Sequence, residues 1–204
     1  MANVEPSLAT AANHAAPEWQ WLDRDPLLTP EQQARAWLAP RLQCSAEAVP
    51  LQRSAHGRPQ LRAPHAMHDT SWSHSGQGLL IAHARSEIVG IDLEYERPRK
   101  QVVALAQRYF HPAEAAWIAE QQQEVARQSA FIRLWCAKEA VLKAHGRGLA
   151  FGLDRLRFDE VDGRLQLMAC DAPLGDVTRW RLRELVPHAG YRAALAWYPG
   201  ILPA

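Results

Sequence analysis

Three acids and a lysine have the spacing of a chemical site. Asp92 and Glu94 lie two positions apart at the end of the apolar run EIVGIDLE. In an extended strand such residues face the same way, about 6–7 Å apart at the backbone. Two anions held like this repel unless a cation stands between them. Oxygen-only ligands suit a hard ion, Mg²⁺ or Mn²⁺, which takes a few carboxylates together with waters and substrate phosphates. The same acids also fit a solvated strand end that pairs with Arg97, Arg99 and Lys100. Further on, Trp135, Glu139 and Lys143 fall at i, i+4 and i+8 of a helical stretch and share one stripe, with Lys138 bordering it. Glu139 is there either a third oxygen ligand with Lys143 as a proton donor or phosphate clamp, or simply half of a surface ion pair.

Two shorter segments carry phosphate-binding chemistry. SWSHSG at 71–76 reads as a polar loop in which Ser73, His74 and Ser75 can all donate. Arg58, after Gly57 at a turn, is either a nucleotide or phosphate contact or an ordinary surface arginine. His65, His68 and His74 are irregularly spaced and have no cysteine beside them, which argues against zinc.

The elements that must hold these residues alternate in blocks. Thr29 as N-cap, Pro30 at the first helical position and Gln32 three residues after the cap predict a helix that Pro40 ends. HGRPQL predicts a turn into a strand, and RAPHAMHD (62–69) a loop. LLIAHA (79–84) and EIVGIDLE (87–94) predict a hairpin. Helices are predicted over 101–110, over 112–128 with Pro112 at its start, and over 129–145, terminated by Gly146 and Gly148. Strands follow to the end, with Asp162-Gly163 at one turn. Blocks of strands and helices joined by hairpins predict an α+β fold with antiparallel sheet.

A chain of 204 residues buries about 70% of its unfolded surface without disulfide or metal staples. With 23 Lys+Arg against 22 Asp+Glu the net charge is +1, which supplies no field for nucleic acid or a membrane surface. Cys44, Cys136 and Cys170 form no C-x-x-C pair, as expected of a cytoplasmic protein. No run of about 18 apolar residues predicts a membrane span. Residues 1–17 read as a disordered tail rather than a signal peptide.

Taken in order, HGRP, WSHSG, GIDLE, RYFHPAE and FIRLWCAKEAVLKAHGRGL resemble the phosphopantetheinyl transferases of the surfactin-synthetase-activating (Sfp) type, from about Arg53 onward. The resemblance implies a monomer of two similar α+β halves related by a pseudo-twofold axis, 18–88 (shortened) and 89–204, with coenzyme A between them. It also implies Mg²⁺-dependent transfer of the phosphopantetheine arm of coenzyme A to a serine of an apo acyl or peptidyl carrier protein. By motif match Asp92, Glu94 and Glu139 hold the metal, and Arg58, Ser73, His74, Lys138 and Lys143 bind the coenzyme. Glu139 and Lys143 are the catalytic pair, with Glu114 and Trp135 supporting them. Arg97, Arg99 and Arg108 are expected to meet the acidic carrier. Family members carry a longer, more basic first half, whereas here only Arg24, Arg35 and Arg41 are available ahead of the GRP turn. Two competing readings are a Mg²⁺-dependent phosphodiesterase or nuclease, which would need a basic groove, and a non-catalytic carrier-protein binder.

Overall fold

The computed structural model describes residues 16–200, so the predicted tail falls almost wholly outside the described residues. The first half is a three-stranded antiparallel sheet in the order β1 (Glu18–Asp23), β5 (Gly78–Arg85), β4 (His68–Ser75). β1 is not among the predicted elements. α1 (Pro30–Leu38) begins as expected: Thr29 Oγ1 accepts from Gln32 N at 3.2 Å, and Gln32 Oε1 accepts from Thr29 N at 2.8 Å. Its buried face, Ala34, Trp37 and Leu38, shares a core with Leu79 and Ile81. A small hairpin, β2 (Leu51–Arg53) and β3 (Pro59–Leu61), completes this half.

The second half repeats the plan. β6 (Glu87–Tyr95) pairs with β10 (Tyr191–Pro199), which pairs with β9 (Arg181–Leu185), all antiparallel. α2 (Val102–Tyr109) and α3 (Pro112–Glu120) lead to the 22-residue helix α4 (Glu124–His145). α4 buries residues all round, because the second sheet lies on one side and the α2–α3 pair on another. β7 (Leu156–Val161) and β8 (Arg164–Cys170) form a hairpin whose turn residues Asp162 and Gly163 both have positive φ, 50° and 75°.

Three expectations are corrected. The predicted hairpin of 79–84 with 87–94 does not form: β5 pairs with β1 and β4, and β6 pairs with β10. Ser86, at φ 62°, is the whole connection and carries the chain from one sheet to the other. The helix expected over 112–128 is two helices, because the chain becomes extended at Gln121 before α4 starts at Glu124. The polar loop SWSHSG is the second half of strand β4, turning only at Gly76.

The halves meet where β4 runs beside β6, and side chains make the joint. Asp69 Oδ2 accepts from Val89 N at 2.7 Å, Ser71 Oγ from Ile91 N at 3.2 Å and Ser75 Oγ from Tyr95 N at 3.0 Å. Alternate residues of β4 thus satisfy the N–H groups on the outer edge of β6, which would otherwise be left unpaired. Gly90 sets the other contact of β6: a Cβ there would lie 1.9 Å from Ala140 O. Only glycine lets the α4 backbone lie this close to the strand, and that approach brings Glu139 and Lys143 to Asp92.

Candidate active site

At the joint, Lys143 Nζ lies 2.7 Å from Asp92 Oδ1 and 2.7 Å from Ser73 Oγ, and Ser73 Oγ donates to the same Asp92 oxygen at 2.9 Å. One residue from each of β4, β6 and α4 therefore shares a single contact point. Asp92 is 5% exposed, and its other oxygen, Oδ2, has no hydrogen-bond partner among the described residues. Glu139 Oε1 is likewise buried and unpartnered. Burial, then Asp92, pushes the Glu139 carboxyl up to about 7, with Lys143 opposing and Glu94 reinforcing. Glu94 is also raised, by burial first and then by Asp92, against the pull of Arg99 and Lys143. Its carboxylate pairs with Arg99 Nη2 at 2.7 Å, which is the solvated-strand-end pairing in part.

Asp92, Glu94 and Glu139 do not form a ready cage. Among the described residues no three His, Cys, Asp or Glu side chains converge on one metal position. Lys143 and Arg99 supply the positive charge instead. The donor set nevertheless fits a hard divalent ion, since two buried carboxylate oxygens, Asp92 Oδ2 and Glu139 Oε1, have no other partner.

The remaining predicted residues separate. Strand alternation sends Ser73 to Asp92 and turns His74 to the opposite face, where with Trp72, Arg53, Arg35 and the start of α1 it lines a cavity of about 520 Å³. Burial, Arg24 and Lys143 all hold the His74 imidazole below its ordinary value. Ser75 is spent on Tyr95 N.

Lys138 is corrected as a coenzyme contact. It is fully buried, and its ammonium is filled by Glu114 at 2.7 Å, Leu153 O at 2.8 Å and Leu156 O at 2.5 Å. No donor is left for a ligand. Burial lowers Lys138 to about 8, with Glu114 opposing. Glu114 also accepts from Phe158 N at 2.7 Å and from His111 N at 3.0 Å, so it ties α3 to α4 and β7 from inside the core. Trp135 stacks near Phe131 and Phe110, at 6.0 and 6.4 Å between ring centroids. Arg58 turns inward: its guanidinium donates to Asp69 Oδ2 and, through Nε at 3.0 Å, to Lys143 O.

Sequence reasoning missed Asp69, Trp72 and Arg53. Arg53 pairs with Glu31 at 2.8 Å and lies 4.9 Å over the Trp72 ring. The period-two pattern of Asp69, Ser71, Ser73 and Ser75 was the available signal for a strand with one polar edge.

The family model of the 4'-phosphopantetheinyl transferase superfamily matches residues 88–196, the stretch that carries Asp92, Glu139 and Lys143. A provisionally named 4'-phosphopantetheinyl transferase of Synechocystis sp. is 31% identical over 189 residues, covering 86% of this chain and 72% of that one. The 4'-phosphopantetheinyl transferase HetI of Nostoc sp. is 36% identical over 132 residues, 62% of this chain and 52% of its own. The 4'-phosphopantetheinyl transferase of Bacillus subtilis is 32% identical over 99 residues, 48% and 42% of the two chains. The last two are thus matched over about half their length or less. With its model matched across the second half and the acids of β6 and α4 brought to one joint, this chain belongs to the 4'-phosphopantetheinyl transferase superfamily.

Proposed function

We propose that the chain is a transferase of the Sfp type. It moves the phosphopantetheine arm of coenzyme A to the serine hydroxyl of an apo acyl or peptidyl carrier protein and releases adenosine 3',5'-bisphosphate. The observation that carries this reading is the shared contact of Lys143, Asp92 and Ser73 with two unpartnered carboxylate oxygens beside it. Two sheet-and-helix halves on one chain support the Sfp type and a monomer.

In the reaction the carrier serine oxygen attacks the phosphorus that bears the pantetheine arm, and the pyrophosphate P–O bond breaks. A serine hydroxyl needs a base. Glu139, a carboxylate at the same joint, is the candidate to take that proton. Lys143 offers a cation, and a proton, to the departing phosphate. Mg²⁺ or Mn²⁺, held by Asp92, Glu139 and Glu94, supplies charge neutralisation of the pyrophosphate when bound. The cavity lined by Trp72 and His74, and the adjoining one lined by Arg53, Gly57, Arg58 and Gly146, offer room for the nucleotide.

The carrier is expected at a groove of about 860 Å³ beside Glu94, where Arg97, Arg99, Lys100 and Arg192 border Val125 and Ile132. Its four cations outnumber the acids Glu96 and Glu124 in the same lining, which with the apolar residues suits an acidic partner. Arg108 lies over Tyr109, outside that groove. No helix of the described residues is long and apolar enough to cross a membrane, and three free cysteines accord with a cytoplasmic enzyme.

The test is incubation with coenzyme A, Mg²⁺ and a panel of apo carrier proteins, read by intact mass. A mass gain of one phosphopantetheine, lost with chelator and restored by Mg²⁺, is the expected result. No gain on any carrier would leave the non-catalytic binder as the better reading, and cleavage of nucleic acid the nuclease.

A further inference from the structure

Among the described residues, Arg58 is the arginine that bridges the hairpin of the first half and the site helix of the second. It is 12% exposed and its partner Asp69 13%, so both charges are largely withdrawn from water and depend on each other. The last carbonyls of a helix have no partner inside it. Lys143 O is one of these, and Arg58 Nε donates to it at 3.0 Å across 85 residues of sequence. The guanidinium also brings positive charge to the negative end of the α4 dipole. Gly146, at φ 95°, ends the helix, and a Cβ there would meet Arg58 Cδ at 2.7 Å. The glycine therefore both closes the helix and leaves the space the arginine fills.

Asp69 extends the connection. Its Oδ2 takes the Arg58 guanidinium and also Val89 N of β6 at 2.7 Å. A single chain of polar contacts thus runs from the last turn of α4 through Arg58 and Asp69 to β6. It joins the element that carries Lys143 to the element that carries Asp92. The planar fork of arginine reaches both partners at once, which a lysine ammonium does not do.

We propose that Arg58, held by Asp69, is a positioning residue for Lys143: it fixes the C-terminal turn of α4 so that Lys143 Nζ meets Asp92 and Ser73. Its consequence for turnover rests on the transferase reading above. Its effect on turnover passes through Lys143. Small displacements of a reacting group cost rate rather than affinity.

The experiment compares Arg58→Lys, Arg58→Met and Asp69→Asn in the full chain, alone and with Lys143→Met. Each single variant is expected to lower kcat by about tenfold or more. Combined with Lys143→Met, Arg58→Met should lower kcat no further than Lys143→Met does alone. A raised KM for coenzyme A with kcat kept, or additive losses in the double variant, would overturn the proposal. Amide exchange at Ala144 and Gly146 is followed in parallel, and Arg58→Lys serves where Arg58→Met folds poorly. Faster exchange in the variants is expected, and unchanged exchange would overturn the proposal even if the wild-type protein modified no carrier, an outcome that would count separately against the transferase reading.

Discussion

The ammonium of Lys143 and the carboxylate of Asp92 meet at 2.7 Å, although 51 residues separate them in sequence. Asp92 is the more buried of the two, so Lys143 is its main local source of positive charge. Lys143→Met is expected to lower turnover by about 10²–10³, the cost of losing one donor aimed at developing charge. It should also lower stability, because Asp92 is left charged and buried. Adding Asp92→Asn should restore the melting temperature and not the activity, as thermal unfolding and the carrier mass assay would show together.

Glu139→Gln keeps shape and removes the ionisable group. If Glu139 takes the serine proton, this variant should lose about 10²–10⁴ in kcat while the melting temperature holds or rises, because a buried carboxyl with an unpartnered oxygen is removed. Near-normal turnover in the carrier assay would rule Glu139 out as the base.

Lys138 and Glu114 form an ion pair deep in the core, 0% and 1% exposed at their side chains. Lys138→Met should cost about 3–5 kcal/mol by stranding Glu114, and Lys138→Met with Glu114→Gln should recover much of it. Denaturant melts of the three proteins give both numbers. Coenzyme A affinity in the double variant should match wild type, since neither side chain reaches the cleft.

His83 and His68 share one hydrogen bond, Nε2 to Nδ1 at 2.8 Å, which requires one neutral acceptor nitrogen. Burial, with His68 and Arg41 adding to it and Glu18 opposing, lowers the His83 imidazole to about 4. A histidine depressed in the folded state contributes stability that is full above the unfolded value near 6.5 and is lost as pH falls through 4. With solvent screening allowed for, the loss is on the order of 1–2 kcal/mol. His83→Gln should therefore flatten the fall in melting temperature between about pH 6.5 and 4; equal slopes in the two proteins would show that the pair does not matter.

Gly90→Ala should destabilise by more than about 3 kcal/mol, because the new methyl meets the Ala140 carbonyl of α4 rather than a movable side chain. Circular dichroism melts would show the drop. A stable Gly90→Ala protein would mean that α4 can stand off from β6.

Legibility in the sequence followed the range of the interaction. α1 announced itself through Thr29, Pro30 and Gln32, whose signals all lie within one turn, and the Asp162-Gly163 turn did likewise. The acids Asp92 and Glu139 were visible as motif residues, yet their partners were not. Lys138 sits one position from Glu139, and only tertiary burial places it on the core side of α4. Arg58 shows the same limit: a turn arginine is ambiguous until Lys143 O and Asp69 are seen around it. The false hairpin of β5 with β6 arose because strand pattern does not specify which neighbour a strand chooses, and here Ser86 sends the chain onward. β1 was missed because EWQWLD is short and its alternation is carried by tryptophan and leucine amid charges.

The side-chain joint between β4 and β6 has a consequence for how the chain is made. Its contacts link Asp69 to Val89, Ser71 to Ile91 and Ser75 to Tyr95, each 20 residues apart. They can close while the second half is still being synthesised. The other edge of β6 waits for β10, where Asp92 pairs with Ala194. Until that strand emerges, the nascent chain has already covered one of the two edges on which β6 could pair with a neighbouring molecule.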